Sequence, residues 1–213
     1  NSYVSTLYND FNGLFGGIAN DIVQTQDGVL WIGTYNGLYR YSGNTFRFMN
    51  NFSDVKNVNC LYTDEEGRLW IGTNDNGVSI AINENIENTI TEIEGLSSDS
   101  VRCITQDSNG LYYVGTSAGL SLISISGGLS VVKNIPEINY SMSISSNKKG
   151  DVAVVTNNGD LYILKSGKIV NQLLADSKKE VSCCSFIDDQ TLYIGTTKNE
   201  VRILKLFENE IVV

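Results

Sequence analysis

The fold class the sequence predicts is all-β, a β-propeller of about five four-stranded blades. Three observations predict it. A phrase recurs about every 40 residues, each recurrence carries four short strand patterns, and no window holds a sustained helical apolar period. The phrase is DGVLWIGTYNGLYRY at 27–41, which returns as EGRLWIGTNDNGVSIAI at 66–82 and NGLYYVGTSAGLSLI at 109–123. Looser copies stand at 149–164, KGDVAVVTNNGDLYIL, and at 189–204, DQTLYIGTTKNEVRIL. Anchored on the glycine of the Gly-Thr pair, the register runs Gly33, Gly72, Gly115, Val155, Gly195, in steps of 39, 43, 40 and 40.

The third copy shows the plan of one unit. SVRCITQ (100–106) alternates like a strand, a turn follows at Asp107-Ser108-Asn109-Gly110, and LYYVGT is the second strand. Ser117-Ala118-Gly119 turns into LSLISI, and LSVVKNI completes the four. Asp-Gly and Asn-Gly tolerate the positive φ that tight hairpin turns need. A lone four-stranded sheet cannot cover both of its faces, whereas stacked blades bury each face against the next. That explains first strands that are apolar on both sides, with Val58, Cys60 and Tyr62 on one and Leu61 on the other.

In chain order the expected elements are an extra outer strand at 3–11 and blades at 18–50, 57–95, 100–136, 140–175 and 181–213. The outer strand at 3–11 rests on the alignment of Gly13-Leu14 with Gly95-Leu96, an offset of 82. NEIVV (209–213) reads as the fifth blade's own outer strand. An outer strand at each end points to a piece of a longer repeat array, with a closed five-bladed ring as the rival reading.

Composition sets outer bounds. Hydrophobic residues are 41% and charged residues 18%, a globular balance, and the single proline, Pro136, marks no linker. The net charge of −9 lies in residues 1–108, with 14 Asp+Glu against 5 Lys+Arg, while 109–213 carry 10 of each. Such a surface is unsuited to a phosphate backbone, so no nucleic-acid partner is expected. Lys148-Lys149 and Lys178-Lys179 read as solvated loop pairs. No apolar run approaches the roughly 20 residues of a membrane span, and NSYVSTLYND lacks the pattern of a signal peptide.

The chain contains no histidine, so it offers neither Ser-His nor Cys-His catalysis. Cys60, Cys103 and Cys183 fall at equivalent first-strand positions of different units. Packed sheets lie about 10 Å apart, beyond the roughly 7 Å between Cα atoms that a disulfide allows. The four thiols read as small buried hydrophobes, and without CxxC spacing no metal site or cofactor is expected. Trp31, Trp70, Tyr113 and Tyr193 share one repeat position and read as side chains packed between blades. Glu65-Glu66 and Asp188-Asp189 fall in hairpin turns and read as solvated carboxylates.

Binding is expected on the edge where second-to-third and fourth-to-first connections open together. Its candidates are Tyr35, Asn36, Phe52, Asp54, Lys56, Asn74, Asp75, Asn76, Asn157, Asn158 and Lys198. Amides and carboxylates beside an aromatic ring are suited to carbohydrate hydroxyls, and the 50–57 loop NNFSDVKN concentrates them.

Trp31-Ile32-Gly33-Thr34, Trp70-Ile71-Gly72-Thr73, Tyr113-Val114-Gly115-Thr116 and Tyr193-Ile194-Gly195-Thr196, with Gly95-Leu96-Ser97-Ser98, resemble the two-component regulator propeller repeat. The fourth unit departs from that pattern at Ala153 and Val155. The resemblance implies seven-bladed rings, often two in tandem, as the extracytoplasmic sensor of a bacterial signalling protein, so this chain reads as a fragment of a larger propeller. It implies a histidine kinase or diguanylate cyclase output domain, the remaining blades of the parent protein, a homodimer surface, and an oligosaccharide or other small-molecule ligand. A structural or protein-interaction propeller without a small ligand is the alternative. A streptogramin-lyase-like enzyme, which by resemblance uses a histidine base and Mg²⁺, lacks its base here. The expectation is a non-enzyme.

Overall fold

Each recurrence of the phrase folds into one antiparallel sheet whose four strands lie side by side in chain order. The computed structural model describes residues 4–15, 17–127, 129–175, 181–207 and 210–212. The first sheet is β1–β4 (Ala19–Gln24, Leu30–Thr34, Gly37–Ser42, Thr45–Phe48) and the second β5–β8 (Val58–Thr63, Leu69–Thr73, Val78–Ile82, Asn85–Ile90). The third is β9–β12 (Val101–Gln106, Tyr112–Thr116, Leu120–Ser126, Leu129–Ile135) and the fourth β13–β16 (Ser141–Ser146, Asp151–Thr156, Leu161–Lys165, Lys168–Leu173). The fifth is β17–β20 (Val181–Phe186, Thr191–Thr196, Val201–Phe207, Glu210–Val212). These are propeller blades, and the all-β reading holds across the described residues.

The ends differ from each other. Residues 4–9 form no strand, and Asp10–Asn12 make a 3-10 turn capped by Asn9 and closed by Gly13 at φ 91°. The outer strand expected at 3–11 is therefore absent among the described residues; residue 3 lies outside them. No described strand runs beside this stretch to pair with it. Its backbone is satisfied locally instead, Asn12 N–H and Leu14 N–H donating to Asn9 O at 2.9 and 3.2 Å. Tyr8 then packs edge-on against Tyr41 and Phe46, with ring centroids 5.5 and 5.3 Å away. At the other end β20 pairs with β19 as the outer strand of its sheet, through Phe207↔Glu210, Leu206↔Ile211 and Lys205↔Val212. Residues 209 and 213 of NEIVV, and Lys178-Lys179, lie outside the described residues.

The chain divides into two compact units, residues 1–89 and 90–213. In the first, one core joins both sheets: Trp31, Leu38 and Met49 of one meet Val58, Leu61, Leu69 and Ile71 of the other. Phe52 and Val55 enter the same core from the loop after β4. In the second unit, Tyr113, Leu120 and Leu122 pack on Val152, Val154, Tyr162 and Leu164. Ala153, Val155 and Ile163 pack in turn on Val181, Cys184, Leu192 and Ile194. Each such side chain removed from water contributes about 1.5–3 kcal/mol.

The Gly-Thr pair of the repeat has a geometric cause. A Cβ placed on Gly33 would stand 2.5 Å from a methyl of Val58 in the next sheet, and one on Gly115 would stand 2.7 Å from Cβ of Ser141 and run into Cys103 Sγ. The threonine beside it closes the following turn. Thr34, Thr73 and Thr116 hydroxyls donate to the carbonyls of Gly37, Gly77 and Gly119 at 2.9, 3.1 and 3.2 Å.

First strands carry a further repeated feature, a one-residue register shift near their start. It sets Asn20, Asn59, Arg102, Met142 and Ser182 out of the pairing with the second strand. Just beyond the shift, side chains reach the next sheet's first strand. Asp21 Oδ2 accepts from Leu61 N–H at 2.7 Å, Ser143 Oγ from Cys184 N–H at 3.2 Å, and Ser145 Oγ from Phe186 N–H at 2.9 Å.

Gly115→Ala is expected to lower unfolding free energy by about 1–3 kcal/mol, because the new methyl must displace Ser141 or Cys103 from a filled seam. Urea denaturation of the two proteins compares them directly, and an unchanged midpoint would count against this packing.

Candidate ligand-binding loops

Strand order fixes which loops share an edge. In every sheet the β1–β2 and β3–β4 type turns open at one edge, and the second-to-third connections open at the other with the links between sheets. The sequence-derived candidates belong to this second edge, and most of them come together in the first unit.

There Asn57 is the hub. Its N–H donates to Tyr35 O at 2.9 Å, its carbonyl accepts from Asn74 N–H at 3.0 Å, and its side-chain amide donates to Asp75 Oδ2 at 2.8 Å. Its φ of 47° places it in the left-handed region that asparagine tolerates. Asn76 closes the network by donating to Asp54 O at 3.3 Å, and Asn59 Nδ2 donates to Asn74 Oδ1 at 3.5 Å. Tyr35 remains 50% exposed beside these groups. Asn36 is exposed and donates to Phe15 O at 3.4 Å, and Lys56 is exposed. Phe52 requires a correction. It is 3% exposed and sits in the core between the two sheets, so its ring cannot meet a ligand. The loop after β4 turns Phe52 and Val55 into the gap between the stacked sheets, where both leave water. Asn57 and Asn59 were missed by the sequence reading, since nothing in the repeat marks which asparagine bends the link.

In the second unit, Asn157 and Asn158 are exposed in the β14–β15 loop, and Asn157 N–H donates to Tyr140 O at 2.9 Å. Tyr140 lies just ahead of β13 at φ 26°, and the Arg102 guanidinium stands 5.6 Å from its ring centroid. Lys198 is exposed in the β18–β19 loop of the fifth sheet.

The opposite edge of the first unit holds a pocket of about 240 Å³ that sequence reasoning did not find. Thr25, Asp27, Trp31 and Arg40 line it from the first sheet, and Leu69, Ala81 and Glu84 from the second. Its charged groups are paired. Glu84 Oε1 is 2.8 Å from Arg40 Nε and Glu84 also pairs with Arg47, while Thr25 Oγ1 donates to Asp27 Oδ1 at 2.6 Å and accepts from Trp31 Nε1 at 3.2 Å. The Thr25 hydroxyl holds the Asp27 carboxyl below the usual carboxylate range.

The repeated aromatics are anchored rather than presented. Trp70, with 0% exposure, donates from Nε1 to Asp64 Oδ2 at 2.9 Å. Tyr113, also at 0%, donates to Asp107 Oδ2 at 3.1 Å and accepts from Gly167 N–H at 2.8 Å. Trp31 is 6% exposed, whereas Tyr193 in the fifth sheet is 37% exposed, beside exposed Val201, Ile203 and Phe207. All four cysteines are free; Cys60, Cys103 and Cys184 are buried and Cys183 is exposed, unlike its equivalents. Burial pushes the Cys103 thiol far up and that of Cys184 to about 12.

Three stretches of the chain, 13–36, 52–75 and 95–118, match the two component regulator propeller family. A curated relative, histidine kinase P4 of Formosa agariphila, is 35% identical over 116 residues, which cover 47% of this chain and 8% of the kinase. The extracellular domain of the hybrid two component system BT3049 from B. thetaiotaomicron shares the fold with a TM-score of 0.72 at 19% identity, over 90% of this chain and 29% of that one. Virginiamycin B lyase from Staphylococcus aureus superposes with a TM-score of 0.67 at 15% identity, over 90% of this chain and 71% of the enzyme. The chain thus spans under a third of the BT3049 domain and under a tenth of the kinase.

Two outcomes are expected from this geometry. A colourless-to-yellow thiol reagent at pH 8 should titrate one cysteine, Cys183, in the folded protein and four after denaturation; fast reaction of a second would contradict the burial described. Asp64→Ala removes the acceptor of Trp70 Nε1 and both Arg68 N–H and Nε. Breaking a buried ion pair costs about 3–5 kcal/mol, so the thermal midpoint should fall by several degrees in calorimetry.

Proposed function

We propose that this chain, built of two-component regulator propeller repeats, is a ligand-sensing segment of a bacterial signalling protein and works outside the cytoplasm. The observation that carries the reading is the hydrogen-bonded surface of Tyr35, Asn57, Asn74, Asp75 and Asn76. These amides and carboxylates are fixed in place by one another, so little ordering remains for a ligand to impose. Sugar hydroxyls donate and accept at once, and amides answer both, while the exposed Tyr35 ring suits the apolar face of a pyranose. An oligosaccharide fragment is the ligand class proposed. The extracellular domains of two-component proteins that share the fold support the location, and the kinase relative supports a histidine kinase as the output of the parent protein.

The role is one of recognition rather than turnover. A variant of the S. aureus lyase with one histidine replaced by alanine is catalytically inactive, and this chain has no histidine to offer in that role. A second reading, contact with another protein or a second copy, is favoured by the apolar residues Tyr193, Val201, Ile203 and Phe207 that the fifth sheet exposes.

The test is thermal unfolding of the chain across a panel of defined oligosaccharides. A ligand at about 100 times its Kd stabilises by roughly 2.7 kcal/mol, a shift of several degrees. Tyr35→Ala should weaken that ligand about tenfold. A panel in which no sugar shifts the midpoint, with dimerisation seen by light scattering, would favour the second reading instead.

A further inference from the structure

Five first strands carry the same register shift, yet the residue it sets free differs in each: Asn20, Asn59, Arg102, Met142 and Ser182. Bulges re-aim a side chain, and a repeated bulge with a varied occupant separates the frame from what it displays. Three of the five polar or apolar occupants are answered by protein. Asn20 Nδ2 donates to Val58 O at 2.8 Å, Asn59 Nδ2 to Asn74 Oδ1 at 3.5 Å, and Ser182 Oγ to Gly195 O at 3.1 Å. Met142 has no such need and is exposed.

Arg102 is the exception. Its Nε is buried with no hydrogen-bond partner among the described residues, and none of their carboxylates forms an ion pair with it. A guanidinium presents five donors in a planar fork and is never neutral in a protein, so an unanswered buried Nε–H calls for an acceptor. The fork lies over the Tyr140 ring at 5.6 Å, which orients it without using its in-plane donors. Tyr140 is itself held in an unfavourable backbone conformation, φ 26°, where its carbonyl accepts from Asn157 N–H at 2.9 Å. A bulky residue kept there is strain of the kind found at binding sites. Arg102 and Tyr140 are both half-buried, on the edge that carries Asn157 and Asn158.

We infer that Arg102, stacked on Tyr140 and flanked by the Asn157–Asn158 loop, is the anchor for a ligand carboxylate. A carboxylate accepts two parallel bonds from a guanidinium fork, and the amides beside it are placed for the neighbouring hydroxyls. The carboxylate belongs to a uronate sugar or to a small organic acid. For the sugar source, this rests on the sensing role proposed above.

Calorimetric titration of the whole chain with digalacturonate, malonate and neutral lactose tests it. The expected result is saturable binding of at least one acid that Arg102→Lys weakens about tenfold and Arg102→Gln more, because lysine keeps the charge and loses the fork. The Arg102 Nε–H resonance should also move on adding the acid. Binding of malonate without digalacturonate supports the anchor and removes the sugar; binding of digalacturonate without malonate supports both. Lactose binding with neither acid binding overturns the anchor and leaves the sensing role standing. An acid bound equally well by Arg102→Lys, or an unmoved Nε–H resonance, overturns the anchor, and no binding of any probe overturns anchor and sugar reading together. Should Arg102→Gln fail to fold, the lysine variant and the resonance decide alone.

Discussion

The constraint on which the rest depends is how closely one blade lies on the next. At Gly33 and Gly115 the second strand approaches the neighbouring first strand until not even a methyl group fits between them. Only glycine permits that approach, and it brings the apolar faces of both sheets into van der Waals contact. From it follow the two-sided apolar strands, the roughly 40-residue period, and the bonds that Asp21, Ser143 and Ser145 make to the next sheet's backbone. A single sheet of this kind has no stable existence, because half of its apolar surface would face water.

The residues that hold the blades together are not those that the connecting loops display. In the first three blades the aromatic of the second strand is tied by its polar tip to the stretch that precedes it, Trp31 to Thr25, Trp70 to Asp64 and Tyr113 to Asp107. Rings held in this way are packed in the seams, and the connecting loops are left free to vary. In the first unit that freedom produces a surface braced through Asn57; in the second it produces Arg102 over Tyr140. The frame is the same in each case, and only the displayed groups change.

The period, strand count and turn chemistry of the fold were legible in the sequence because each recurs, and recurrence reports packing. Val4–Phe11 misled for the same reason: it aligns with an outer strand, but alignment carries no information about whether a third strand lies alongside. Phe52 misled because a loop aromatic looks the same in sequence whether it faces solvent or dips into a seam. Arg102 and Tyr140 could not be found at all. Neither belongs to the repeated phrase, and the register shift that sets Arg102 out of the pairing is a property of the backbone, not of residue type. The pocket of Trp31, Arg40 and Glu84 is likewise built from turns that meet only once the sheets stack.

The fourth blade, with Val155 where the others have glycine, shares a core with Val181 rather than receiving it into a cleft. Blades are therefore matched to their successors. Copying the first blade beside itself would set Gly33 against Ala19, the residue that takes the place of Val58, and leave a hole where the two methyls of Val58 stood. Such a hole costs about 1 kcal/mol. Copying the fourth would set Val155 against Ser141, smaller than Val181 and polar, so that seam too would lose apolar contact. Neither blade would pack on a copy of itself as it packs on its successor, so the order of the blades is itself fixed by packing.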